Sequence, residues 1–196
     1  MAELLYQGHG SLRFQTNKRT VIYLDPYAGE GYNLPADLVL VTHDHHDHNV
    51  ITLPAKKEDC AVITYAEART AAGYQKFTVK DVEIEAVPAY NGHHDQGECV
   101  GYLLRFDGLC VYASGDTSKT DWMKTAPALH IDYAFYPIDG IYNMDAAEAS
   151  ECAALVGARH SIPIHMKPGG LFDRAMAETF SSSGRIIVEP GETLPL

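Results

Sequence analysis

The chain has 196 residues, 46% hydrophobic and 21% charged, with a formal net charge of −11 at pH 7. That length and composition describe a single globular domain, residues 1–196, able to bury a core without a disulfide framework. The acidic balance argues against nucleic acid or an anionic membrane surface as partner, and no stretch approaches the roughly 20 apolar residues of a membrane span.

The opening MAELLYQGHGSLRF has neither the basic start nor the apolar run of a signal peptide. The cysteines Cys60, Cys99, Cys110 and Cys152 form no CxxC pair. Both features predict a cytoplasmic protein whose cysteines are reduced core thiols. In chain order, LRFQT (12–16) and TVIYLDP (20–26) read as a hairpin around Asn17-Lys18. DLVLVT (37–42) is a continuous apolar run, the pattern of a strand covered on both faces. AVITY (61–65) and KFTV (76–79) follow, and VEIEAVPA (82–89) alternates so as to leave one face wet. VGYLLRF (100–106) and LCVYAS (109–114) flank Asp107-Gly108, a two-residue hairpin signal. DYAFYPI (132–138) and SIPIHM (161–166) are two further apolar strands. Between them residues 144–158 place Ala146, Ala149, Ala153 and Val156 on one helical face, with Asp145 as N-cap and Glu148 completing a capping box. A shorter helix is expected over 171–180. Strands with helices between and after them predict an α/β fold of layered sheets faced by helices.

The chemistry lies at the strand ends. THDHHDH follows the buried run 37–42 and puts His43, His45, Asp47 and His48 in an HxHxDH pattern. Imidazole and carboxylate are the donors that suit zinc and similar divalent ions. Four such groups in six residues cannot all reach one tetrahedral ion, so the spacing points to two adjacent metals. Further donors sit at comparable places: His93 and His94 in AYNGHHDQG, Asp116 in YASGDT, and His165 in SIPIHM. Gly115 permits close backbone approach beside Asp116. Asp25 in LDP and His9 in GHG are candidates to orient the ligands from behind. Lys167, Tyr90, Asp139 and Tyr142 are candidate substrate contacts from the surrounding loops.

In this order, HDHHDH, a downstream His, GDT and IPIH resemble the metallo-β-lactamase superfamily. GHGSLRF resembles its opening strand element, and YLDPY the Asp-Pro turn before the His motif. PAYN, VGY and PIDGIYNMDAAEA carry a nearer likeness to small stand-alone metal-dependent hydrolases related to the ascorbate-phosphate lactonases. The resemblance covers almost the whole chain. It implies a four-layered αββα sandwich, two mixed β-sheets faced by helices, with a binuclear site. One metal would be held by His43, His45 and His94, the other by Asp47, His48 and His165, with Asp116 bridging. His94 is preferred to His93 because it stands three residues before Gly97, as in the family's HPxG, although Asp95 replaces the proline.

Two divalent ions, zinc first and manganese or iron as alternatives, would share a hydroxide able to attack a carbonyl or phosphoryl centre near neutral pH. Asp47, besides binding metal, is placed to steer that water or take its proton. The expected activity is hydrolysis of a small ester, lactone or phosphoester, in a protein that binds a small molecule and leaves room for a homo-oligomer. Three other readings share the scaffold: a phosphodiesterase or nuclease, a di-iron oxidoreductase, and a non-catalytic metal-binding module. The acidic charge weighs against the first. The intact HxHxDH and the lack of space for a flavin domain weigh against the second, and the complete donor set against the third.

Overall fold

The apolar runs assemble into two mixed six-stranded sheets in the computed structural model, which describes residues 1–196. Strands β1 (Glu3–Gly8), β2 (Ser11–Gln15), β3 (Val21–Leu24), β4 (Ala36–Leu40) and β5 (Lys56–Ile63) build the first sheet. A one-turn helix α1 (Tyr65–Ala68) and a small hairpin, β6 (Arg69–Thr70) with β7 (Gly73–Tyr74), lead to the second. That sheet contains β8 (Lys76–Val79), β9 (Val82–Pro88), β10 (Val100–Phe106), β11 (Leu109–Ala113), β12 (Tyr133–Pro137) and, after helix α2 (Ala146–Val156), β13 (His160–Ile164). Helix α3 (Arg174–Thr179) follows, and β14 (Thr193–Pro195) returns to pair antiparallel with β1.

In each sheet three strand pairings are antiparallel and two are parallel. Strands β1, β2 and β3 are linked by short turns, whereas β3, β4 and β5 run parallel and need longer crossovers. In the second sheet β8 to β11 are antiparallel, and β11, β12 and β13 parallel. The long loops that leave the parallel strands carry most of the chemically interesting residues, as rigid strands with variable connections allow.

A cluster of 24 buried residues fills the space between the sheets, including Leu4, Phe14, Ile22 and Leu38 from one and Ile84, Tyr102, Leu104 and Phe135 from the other. Phe14 meets Phe135 edge-on at 5.9 Å. Burying side chains of this size stabilises the fold by about 1.5–3 kcal/mol each. The opposite parity of β10 and β11 puts Leu103 and Tyr112 into a second cluster beneath α2, with Ala149, Cys152, Ala153 and Val156. Both faces of these strands are therefore apolar, which is why their sequences read as unbroken runs.

The sandwich has the expected αββα order, but the layer outside the first sheet is thin. Val21, Tyr23, Ala36 and Val39 are covered by Tyr32, Leu34 and Ile51 from loops. The covering segment, PYAGEGYNLP, holds two glycines and two prolines and is poorly suited to a helix. Two boundaries and one cap differ from expectation. β5 begins at Lys56, five residues before the apolar run at 61, because an edge strand tolerates solvent-facing polar residues. Helix α3 starts only at Arg174, where Asp173 accepts from Met176 N. Asp145 caps α2 by accepting from Glu148 N, but the Glu148 carboxylate turns away to accept from Lys119 N at 2.9 Å, so the capping box is half made. All four cysteines are free; three are buried and Cys60 is half-buried on β5. No helix is long and apolar enough to cross a membrane.

Candidate metal centre

Strand β4 delivers the His-rich loop, and a buried carboxylate beneath it fixes its shape. Asp25, just after β3, adopts a left-handed φ of 47° and is 2% exposed. Its Oδ1 accepts from Thr42 N at 2.7 Å, and its Oδ2 accepts from Thr42 Oγ1 at 2.7 Å and from His48 Nδ1 at 2.9 Å. The Thr42 hydroxyl has then given its only proton to Asp25. It can only accept from His43 Nδ1, which lies 2.9 Å away. One carboxylate thus fixes Nδ1 as the donor in both histidines and leaves Nε2 of each as the atom that faces the site. Gly10 is required here, since a Cβ would stand 2.8 Å from His48 Cε1.

The remaining donors arrive from the second sheet. His94 Nδ1 donates at 2.9 Å to Asn91 Oδ1, an oxygen that also accepts from the backbone N–H of His93 and His94. Asp116 follows Gly115, whose φ of 66° and whose closeness to Val100 O, 2.6 Å from a would-be Cβ, exclude a side chain. His165 follows β13 with φ 47°, and its Nδ1 lies 3.0 Å from Asp139 Oδ2, a close contact rather than a well-aligned hydrogen bond. His9 shares the left-handed conformation (φ 54°), with its ring centroid 3.8 Å from that of His165. Non-glycine residues in this region cost roughly 1–2 kcal/mol each. Three of them gather here, held by backbone bonds such as His165 N to His9 O at 2.9 Å.

The free Nε2 atoms converge on one carboxylate. Asp116 Oδ2 lies 3.3 Å from His165 Nε2, 3.5 Å from His94 Nε2 and 4.0 Å from His43 Nε2, and Oδ1 lies 3.6 Å from His48 Nε2. The Nε2 atoms of His43, His48 and His165 are buried without a hydrogen-bond partner. An orphaned buried polar atom costs about 1–3 kcal/mol, and a divalent ion would supply the missing partner. Two separate donor groups result, His43–His45–His94 and Asp47–His48–His165 with His9, while His43, His48 and Asp116 form a third that joins them. The donor set fits a borderline-hard divalent metal.

Electrostatics separate the imidazoles into two classes. Burial pushes His43 down to about 2 and also lowers His94, so both are neutral. Burial opposes charge on His48 as well, but Asp116 and Asp25 raise it to about 9. His165 is likewise raised by Asp116 and Asp139 against the effect of burial. Asp116 itself sits well below the usual carboxylate range, burial being outweighed by the four imidazoles around it. At about 9, His48 holds its second proton at pH 7, and metal coordination must displace it. Metal loading at pH 7 should therefore release at least one proton, from His48, and affinity should rise as pH climbs towards 9. Calorimetric titration in two buffers of different ionisation enthalpy measures this count, and a count of zero contradicts the assignment.

His9 lies beside Asp47. Its Nδ1 faces Gly170 O at 3.1 Å and its Nε2 faces Asp47 Oδ2 at 3.1 Å, so it holds Asp47. His45 is exposed, with its ring 4.6 Å from His43 and 5.0 Å from His94. It is His94 that joins the cluster, while exposed His93 stacks edge-on against Tyr142 at 5.5 Å. The loop placement of Asp139 needs correction. It does not rim the cavity; it lies behind His165, because three backbone N–H groups, of Ile141, Tyr142 and Asn143, turn its Oδ1 inward. Burial would raise its pKa, yet His165 and these donors hold it at about 2. Tyr142 does line the cavity. Tyr90 and the exposed Lys167 are not among the side chains that line it.

Sequence reading missed Asn143, which no spacing pattern marks. Its Nδ2 donates at 2.8 Å to both Asp116 Oδ2 and Asp139 Oδ2, and its Oδ1 accepts from Asn91 Nδ2 at 3.1 Å. His94, Asn91, Asn143, Asp116, Asp139 and His165 are thereby joined in one chain of contacts. The only available signal was its position four residues after Asp139 in PIDGIYNMD.

Known proteins share the family and fold of this chain. A family model described as a β-lactamase superfamily domain matches residues 3–165. A UPF0173 metal-dependent hydrolase of Methanosphaerula palustris is 34% identical over 182 residues, spanning 83% of this chain and 82% of that protein. A second, from Pyrococcus furiosus, is 28% identical over 227 residues and covers both chains in full. In fold, the chain is similar to a metallo hydrolase of the hyperthermophilic archaeon Ignicoccus hospitalis, with a TM-score of 0.77 at 23% identity over 98% of this chain and 97% of the other.

Proposed function

Since the chain belongs to the metallo-β-lactamase superfamily and is a metal-dependent hydrolase, we propose that it cleaves a small ester, lactone or phosphoester with two divalent ions, zinc foremost. The observation that carries this reading is the set of four buried imidazoles, each turned by an acceptor of its own so that Nε2 faces Asp116. His43, His45 and His94 would hold one ion, Asp47, His48 and His165 the other, and Asp116 both. Bound divalent metal polarises a carbonyl or phosphoryl oxygen and brings the pKa of water down to about 7.

The chain's own groups supply the rest. Asp47 lines the cavity, with its Oδ2 tied to His9 and its Oδ1 free of hydrogen bonds. Asp47 would thereby be placed to steer the attacking water or take its proton. Asn143 and Asn91 keep Asp116 and His94 from turning away. The cavity, about 360 Å³, has the size of a small-molecule site.

The test is metal analysis of the purified protein together with a panel of esters, lactones and phosphoesters. His45→Ala is the informative variant because His45 is exposed and its loss leaves the core alone. Metal content should fall and kcat/KM should drop at least about a hundredfold, the upper end of what residues merely supporting a metal site cost. Undiminished metal content and turnover would refute the ligand assignment.

A further inference from the structure

The cavity divides by chemistry. Its buried floor is made of metal-type donors, His94, Asp116 and His165, whereas Tyr27, His46, His93, Tyr142, Pro168 and Gly169 form the more exposed mouth. The mouth is built of flat rings and a turn. Tyr27 meets His46 edge-on at 6.0 Å, and His93 meets Tyr142 edge-on at 5.5 Å. No lysine or arginine lines any part of the cavity. A smaller adjoining cavity, which shares His45, His93 and His94, carries Asp44, Asp95 and Glu98. The fixed charges flanking the site are therefore acidic. Beside this mouth, Ile141 and Tyr142 are 60% and 49% exposed, two of only five large hydrophobic residues on the surface.

We infer that the substrate is a carboxylic ester or lactone whose group beyond the scissile bond is uncharged and apolar or aromatic; this rests on the hydrolytic reading above. A second anionic group, such as the terminal phosphate or carboxylate of a metabolite, would lie among rings and near carboxylates with no cation to meet it, an unfavourable desolvation. An apolar or aromatic group would instead pack against Tyr27 and Tyr142, the kind of lining that small-molecule sites use. In the reaction one water adds its oxygen to the acyl carbon, the acyl–alkoxy bond breaks, and a carboxylate, an alcohol and one proton result.

The test uses metal-loaded protein at pH 8, where an ordinary imidazole is neutral. It compares the 4-nitrophenyl ester of hexanoic acid with the mono-4-nitrophenyl ester of adipic acid, which differ by a remote carboxylate and hardly in intrinsic reactivity. Expected is a kcat/KM at least about tenfold higher for the hexanoate, carried by KM. Tyr142→Arg should narrow that gap by lowering KM for the adipate, and Lys167→Ala should alter neither ester. Equal kcat/KM for the two esters, a preference for the adipate, or loss of adipate turnover in Lys167→Ala overturns the inference and leaves the hydrolase intact. Faster turnover of bis(4-nitrophenyl) phosphate than of the hexanoate does the same. No turnover of any panel member by protein that holds its metal overturns the hydrolytic reading itself.

Discussion

Replacing Asp116 by alanine should lower kcat/KM at least about a thousandfold, roughly 4 kcal/mol of transition-state stabilisation, and reduce bound metal to at most one ion per chain. No other side chain in the site lies within 4.0 Å of four imidazole Nε2 atoms at once. Its removal takes away both the oxygen placed between the two donor groups and the negative charge that offsets their cations. Asp116→Asn separates these losses, because an amide oxygen can still accept from Asn143 Nδ2. The asparagine variant should keep the fold of the parent by circular dichroism yet bind metal more weakly. It should also release fewer protons on metal loading, since the raised pKa values of His48 and His165 depend on the Asp116 charge. A merely structural Asp116 would leave the proton count unchanged. Full metal content and activity in Asp116→Ala would remove Asp116 from the centre altogether.

The contrast between what the sequence reveals and what it hides follows from the physics of each feature. The buried strands were legible because covering both faces forces unbroken apolar runs, as in DLVLVT and VGYLLRF. The cluster of candidate donors was legible because metal-type side chains are few in kind and recur after those strands. β14 was not, since three residues pair with β1 only once the chain has returned from α3. The support beneath the ligands was legible in part. Asp25 and His9 stand beside recognisable turns, but Thr42, Asn91 and Asn143 are single polar residues whose networks include partners 17 to 52 positions away. Asp139 was assigned to the correct loop and the wrong side of it. The direction of its carboxylate is set by three backbone N–H groups that no composition pattern records.

Asp25→Asn should cost metal affinity out of proportion to its effect on folding, because the carboxylate controls tautomers as well as geometry. Asparagine has the same shape and tolerates the left-handed φ of 47° found here. Its amide must face one of two ways. With the nitrogen towards Thr42 Oγ1 and His48 Nδ1, the Thr42 hydroxyl becomes the acceptor and turns its own proton to His43 Nδ1. His43 then carries its proton on Nε2, and His48, now facing a donor, does the same; both ligand lone pairs are lost. With the nitrogen towards Thr42 N, two donors oppose each other and a buried N–H is left unsatisfied, at about 1–3 kcal/mol. Either arrangement weakens the centre, and the first disables two ligands without moving an atom of the backbone. Metal affinity should fall on the order of 100-fold, at the upper end for groups that orient ligands, while the metal-free variant loses no more than about 1–3 kcal/mol in denaturant unfolding. Asp25→Ala should be worse for folding, by about 3–5 kcal/mol, because Thr42 and His48 are left without their buried charged partner. Chelator-competition titration of both variants, set beside their metal-free unfolding curves, measures the two effects separately. If Asp25→Asn binds metal as tightly as the parent, His43 and His48 do not owe their ligand tautomers to Asp25.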